Sequence, residues 1–234
     1  MGSSLGFGAA FPVIQNRPYI ATVRVQSVET TRAGVRVLRE ALNIRMRDFA
    51  GRIRDEQLAS TPDAQGAFTQ GTVHILDPIS MRDTQWNEDT KTVLVSNIAA
   101  NPTHTQESPV PECSQRMRTG NAESSSDDPD RDQVRFEYLG RRDMYGLDAV
   151  GCRITRIVPK RSETVWSGTS VTEIWNSPDL QMNLLITTKE LDGTEQITTI
   201  SDLHEVEPSP ALFQVPTGYT DPTKPPSQPS SQTH

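Results

Sequence analysis

From Asp148 to Pro216 the chain is a series of short β-type segments cut by turn residues. It reads AVGCRITRIV, TSVTEIWNSPDLQMNLLITTKE, an Asp-Gly turn and EQITTIS, and it closes on PALFQVP. In the first segment Val150, Cys152 and Ile154 point one way and Arg153 and Thr155 the other. That period of two is the signature of a half-buried strand. Asn176-Ser177-Pro178-Asp179 is a strong turn signature, and Asp192-Gly193 is the best hairpin signal in the chain. Leu180, Met182, Leu184 and Ile186 fall on one face of the strand between them. Strands joined this closely can only pair antiparallel, hairpin after hairpin.

The same rhythm governs the first hundred residues. In YIATVRVQSVET, Tyr19, Ala21, Val23 and Val25 share a face and Arg24 and Gln26 take the other. The stretch from Val35 to Asp48 is ambiguous. Leu38, Leu42 and Met46 recur every four residues, as in a helix, yet Leu42, Ile44 and Met46 alternate, as in a strand. The turns Ala33-Gly34 and Asp48-Phe49-Ala50-Gly51 flank it, so strand is the preferred reading and helix stays open. TVHILDPI is the next strand, ended by Pro78, which has no ladder donor. MRDTQWN and KTVLVSN then form a tight hairpin across Glu88-Asp89, with Trp86 near its tip. Beyond EQITTIS, Ser209 is placed to cap one helical turn whose Leu212 and Phe213 plug an end of the sheet.

Residues 101–132 differ in kind. They hold four prolines and seven acidic residues and no Leu, Ile or aromatic, too little apolar surface to offset the entropy of ordering them. A linker between two domains is the other reading, but neither flank is long enough for a comfortable sheet domain alone, so an insertion is preferred. The expected organisation is a leader over 1–18, one mainly β domain over 19–216 interrupted by a disordered insertion at 101–132, and a disordered Pro/Ser-rich tail over 217–234. The expected fold is a curved antiparallel meander sheet with few short helices.

Composition narrows the function by exclusion. A net charge of −7 and a pI near 5.2 argue against a nucleic-acid partner. The seven arginines between Arg32 and Arg54 are interleaved with carboxylates and read as a solvated, ion-paired face. No apolar run is long enough to span a membrane. MGSSLGFGAAFPV lacks the basic and long apolar parts of a signal peptide, and Gly6 stands where myristoylation wants Ser or Thr. The two cysteines, Cys113 and Cys152, read as unpaired thiols, with a disulfide as the alternative in an exporting compartment.

No chemistry-bearing constellation stands out. None of the four histidines has metal-ligand spacing, and His74 reads as a satisfied strand residue. Asp128-Asp130-Asp132 opens like a calcium loop, but Gln133 and Leu139 occupy the places of its Gly and Glu. There is no Gly-x-Ser-x-Gly elbow, phosphate loop or dinucleotide fingerprint. The expectation is a protein without enzymatic activity, metal or cofactor. What remains is apolar: Leu180, Met182, Leu184 and Ile186 form a stripe beside Trp175, with Trp86 on the other hairpin. These six residues are either ordinary core or the floor of a concave pocket for an acyl chain or apolar peptide.

As a set, several segments resemble a large group of uncharacterised exported bacterial proteins. They are PYIATVRVQSVET with DFAGRIRDEQ, HILDPI before the Trp86 hairpin, LGRRDMYGLDAVGCR, EIWNSPDLQM, the Asp-Gly hairpin and PALFQVPTGY. That group is similar in shape to the lipoprotein carriers of the bacterial periplasm, the LolA/LolB-like half-barrels. It also resembles the sensor domain of a periplasmic regulator of an anti-sigma factor. The resemblance implies a half-barrel whose concave apolar face takes up a lipid or lipoprotein acyl chain. It also implies a periplasmic or secreted location, and an envelope protein partner as the other kind of target.

Overall fold

A computed structural model describes residues 13–31, 34–58, 70–98, 131–160 and 167–223. Eleven strands form one sheet: β1 (Tyr19–Thr31), β2 (Gly34–Arg47), β3 (Ile53–Leu58), β4 (Gln70–Asp77), β5 (Arg82–Asn87), β6 (Thr92–Asn97), β7 (Gln133–Met144), β8 (Leu147–Val158), β9 (Gly168–Ser177), β10 (Met182–Lys189) and β11 (Thr194–His204). The spatial order is β6-β5-β4-β3-β2-β1-β11-β10-β9-β8-β7, antiparallel throughout. Strands from both sides of the acidic stretch therefore belong to one sheet, joined where β1 pairs with β11. The sheet is open, with β6 and β7 as its two ends. The only helix among the described residues is a 3-10 turn, Pro210–Phe213. The Val35–Asp48 ambiguity resolves as strand β2, whose Ile44 and Met46 share a face with Ile20 of β1.

Two hydrogen bonds show how the sheet curls. The Tyr145 hydroxyl, in the β7–β8 turn, donates to the Ile200 carbonyl of β11. Arg47 of β2 donates through NH1 to the Leu180 carbonyl of the β9–β10 turn at 2.8 Å. Each bond joins elements that are not neighbours in the sheet. One end of the sheet is thereby rolled over a core of Tyr19, Ala21, Val23, Trp175, Leu180, Met182, Leu184 and Ile200. The other end has no such crossing bond among the described residues.

Three hairpins use one turn. Asp77-Pro78-Ile79-Ser80-Met81, Asn87-Glu88-Asp89-Thr90-Lys91 and Ser177-Pro178-Asp179-Leu180-Gln181 each begin with a short polar side chain. Asp77 accepts from the N–H groups of Ile79 and Ser80, Asn87 from Asp89 and Thr90, and Ser177 from Leu180. Each loop closes on a left-handed residue, Met81, Lys91 or Gln181, at φ of 53°, 50° and 45°. The side-chain acceptor replaces the ladder bonds that the turn gives up. In the third hairpin the four loop residues are 178–181, so Leu180 lies in the turn and not in the strand.

The described residues reach past the expected domain limits at both ends. Residues 13–18, assigned to the leader, are placed, with Asn16 N–H donating to the Phe49 carbonyl. Residues 217–223, assigned to the tail, are placed as well, and Thr220 bridges Thr92 in parallel. Tyr219 gives this segment an aromatic anchor that its Pro- and Thr-rich composition conceals. Apart from Arg131 and Asp132, the 101–132 insertion lies outside the described residues. Ser209 makes no side-chain cap; Pro210 starts the 3-10 turn and Leu212 N–H reaches the Ser209 carbonyl.

Cys152 is disulfide-bonded, which overturns the reading of two unpaired thiols; Cys113, the other cysteine, lies outside the described residues. Protein isolated without reductant should leave both cysteines unlabelled by iodoacetamide. Labelling of either would contradict the bond. Gly151 yields a second test. It sits in mid-strand, not at a turn, because a Cβ there would stand 2.7 Å from the Trp175 indole. Gly151→Ala should cost about 1–3 kcal/mol, read from denaturant melts, through overpacking.

Candidate functional site

Strand register separates the sheet into two faces. On the face of Val23 and Val25 one row crosses six strands: Val25, Thr198, Ile186, Ile174, Cys152 and Tyr138. Ile154 and Phe136 pair beside it. Cys152 and Ile174 are fully buried, whereas Val25, Ile186, Ile154 and Phe136 are half-buried. Beyond β1 this face turns polar at once. Ala21 is opposite Arg45, Val23 opposite Asn43 and Tyr19 opposite Arg47, and Asp55 and His74 continue the row.

The opposite face is apolar where the first is not. Ile44, Val73, Trp86 and Val93 form one row, and Ile20, Met46, Ile75 and Val95 the next. Strand β3 breaks both with Glu56 and Arg54, which pair at 2.7 Å. So β1 buries its two sides in different cores: Tyr19, Ala21 and Val23 in one, Ile20 in the other.

The second face is covered by the chain's own C-terminal strap, residues 205–221. Phe213 is buried in it, with Leu212 and Tyr219 packed alongside. Arg54 donates through NH1 to the Leu212 carbonyl at 2.8 Å and lies 5.2 Å from the Trp86 ring centroid. Arg52 lies over Phe213 at 4.8 Å. Tyr219 meets Trp86 edge to face at 6.4 Å, and Lys91 lies 5.1 Å from the Tyr219 centroid. Such ring–ring and cation–ring contacts suit a segment without regular structure, because they need no backbone ladder. Lys91 also bonds Glu88 at 2.7 Å. That bond, with the nearby Tyr219 hydroxyl, holds the Glu88 carboxyl below the usual glutamate range. The Trp86 N–H also favours the Glu88 carboxylate, although it makes no hydrogen bond of ordinary geometry.

The six apolar candidates do not form one surface. Trp175, Leu180, Met182 and Leu184 belong to the rolled core, Trp86 to the core under the strap, and Ile186 to the Val150–Cys152–Ile174 cluster. A β-bulge between Asn183 and Leu185 inserts an extra residue, which interrupts the alternation that aligns Met182 and Leu184 with Ile186. Five of the six are buried; only Ile186 is half-exposed. Sequence reasoning missed Val25, Ile154 and Phe136 as companions of Ile186. Their alternation was visible, but the register that aligns them across strands was not.

The arginine run is ion-paired, as its interleaved carboxylates suggest. Arg45 bonds Asp55 through Nε and NH2, and Arg52 bonds Asp48. Burial alone would lower the Arg45 guanidinium, but the Asp55 carboxylate outweighs it and raises it. The face is not simply solvated, however. Arg47 and Arg54 are buried, and Arg47 has no carboxylate partner among the described residues. It donates to the Arg17 and Leu180 carbonyls and lies 4.8 Å from the Tyr19 centroid, and burial lowers its pKa. His74 pairs with Asp83, as a satisfied strand histidine should. Among the described residues no group of three or more His, Cys, Asp or Glu could hold a metal ion, and no helix is long and apolar enough to cross a membrane.

No family model matches this sequence, and no curated protein does. Solved structures show a distant likeness. PNGF-II is 9% identical with a TM-score of 0.39, over 88% of this chain and 31% of that one, so this chain spans under a third of it. A LolA superfamily protein from Nitrosomonas europaea is 8% identical with a TM-score of 0.33, over 87% and 91% of the two chains. The lipoprotein LppX of Mycobacterium tuberculosis is 12% identical with a TM-score of 0.31, over 80% and 87%. At these scores the likeness carries no argument about fold or function and gives no residue a role.

Phe213→Ala should destabilise the protein by about 3 kcal/mol, measured by chemical denaturation, by opening a cavity under the strap. The Lys91–Glu88–Tyr219 anchor should weaken in acid. Because the folded Glu88 pKa lies below the ordinary 4.5, its contribution is complete above that value. It is lost as pH falls further, through the folded pKa. Trp86 fluorescence followed below pH 4.5 should report the loosening, and Glu88→Gln should remove that part of the titration.

Proposed function

We propose that this is a non-enzymatic cell-envelope protein that binds a lipid or other apolar ligand on the first face of its sheet. The observation that supports it most is the row through Val25, Ile186, Ile174 and Cys152, flanked by Ile154 and Phe136. It lies beside the rolled core, and four of these apolar side chains remain half-buried. An acyl chain laid along the row would bury them further. Each fully covered aliphatic side chain contributes about 1.5–3 kcal/mol before ordering costs. Of the six sequence candidates, Ile186 is in reach of such a ligand, and the other five shape the scaffold beneath. The Cys152 disulfide suits an oxidising compartment such as the periplasm or the cell exterior.

The test is a titration of delipidated protein with cis-parinaric acid. Saturable binding is expected, weakened ~10-fold or more by Ile154→Glu or Ile186→Glu with melting cooperativity retained. Absence of saturable binding to the unaltered protein would sink the proposal.

A further inference from the structure

The two open ends of the sheet are built differently. Strand β7 carries Arg135, Glu137, Arg141, Arg142 and Asp143, and a bulge between Tyr138 and Gly140 interrupts its ladder. Charges and bulges are how sheets prevent other strands from adding to them. Strand β6 is Thr92-Val93-Leu94-Val95-Ser96-Asn97, with no charge, no proline and no register shift against β5. Leu94 and Val95 are 47% and 42% exposed, one on each face.

The strap shows how this edge pairs. Val93 N–H donates to the Thr220 carbonyl at 2.9 Å, and Thr220 N–H to the Lys91 carbonyl at 3.0 Å. That is the start of a parallel ladder. Its next step needs an N–H at position 222 for the Val93 carbonyl, and residue 222 is proline. The strap therefore stops after a single bridge, Thr92 to Thr220. Ladder alternation aims the N–H and C=O of Val95 outward like those of Val93, and neither has a partner among the described residues. On the second face Val95 continues the apolar surface beyond the part that Tyr219 covers.

We infer that the β6 edge is a docking site for an extended peptide segment of a partner protein. The segment pairs parallel to Thr92–Asn97, with an aromatic side chain where Tyr219 sits and no proline two or three positions later. The strap is a weak occupant of the same edge in cis, cut short by Pro222. Such a partner displaces residues 219–221 and gains the ladder bonds that the strap cannot make. This inference does not depend on a ligand on the first face.

The test uses the full-length chain carrying Tyr219→Ala, which loosens the strap. The probe is a fluorescein-labelled peptide of residues 214–223 with Pro222→Thr, followed by fluorescence anisotropy. Saturable binding is expected. The peptide with the native proline should bind ~10-fold more weakly, as should Val95→Pro protein, each having lost a ladder bond. Val95→Lys serves as a second edge variant if Val95→Pro melts early. Three outcomes would overturn the inference: no saturable binding, binding indifferent to position 222 and to both Val95 variants, or light scattering that shows the Tyr219→Ala chain pairing with itself through this edge.

Discussion

Everything in this protein depends on the ladder between its first and last strands. β1 and β11 pair from Ile20 with His204 to Glu29 with Thr194, and among the described residues no other strand ladder joins the two meanders. A single bulge between Thr22 and Val23 lets the ladder bend without breaking. The two meanders bury different clusters, and β9 buries both its faces, Trp175 on one and Ile174 on the other. β1 serves both meanders, and alternation alone makes that possible, since its odd and even positions supply different cores. The protein is thus one sheet with two interiors. The first is closed by its own curling hairpins and the second by a strap of irregular chain.

Most of the architecture was legible because it is written in period two and in turn chemistry. Asp77, Asn87 and Ser177 announce their hairpins, and Asp192-Gly193 announces another. Strand β2 was only half legible: Leu38, Leu42 and Met46 satisfy a helical period as well as Leu42, Ile44 and Met46 satisfy a strand. Tertiary pairing with β1 decides between them. The six apolar candidates fall into separate clusters for a physical reason. Periodicity tells which residues of a strand lie together, but not which side of the sheet that is once strands are aligned. The extra residue at the Asn183–Leu185 bulge breaks a stripe that looks continuous in sequence. Trp175 needed Gly151, and nothing in AVGCRIT shows that its glycine makes room for an indole on the next strand. The ordered segment around Tyr219 was hidden by its prolines.

The buried arginines show how polar groups are used to fasten irregular chain. Arg47 ties the Arg17 and Leu180 carbonyls to β2, and Arg54 ties the strap through the Leu212 carbonyl. A guanidinium presents several donors in a fixed plane, so one side chain can serve two backbone segments and an aromatic ring together. The cost is incomplete satisfaction. Arg47 NH2, Arg54 Nε and Trp86 Nε1 lack hydrogen-bond partners. Asn43 Oδ1, in the middle of β2, is unmet as well, so incomplete satisfaction is not confined to the contacts with irregular chain.

The seam has a bearing on how the chain comes to be folded at all. During synthesis the N-terminal strands emerge long before residue 204, and until then β1 exposes the edge that β11 will occupy. The first six strands would have an unprotected flank at β1 as well as at β6. A nascent or translocating chain must keep that flank from foreign strands until its own last strand arrives. The length of that wait, more than final stability, sets how much chaperone help production of this protein demands.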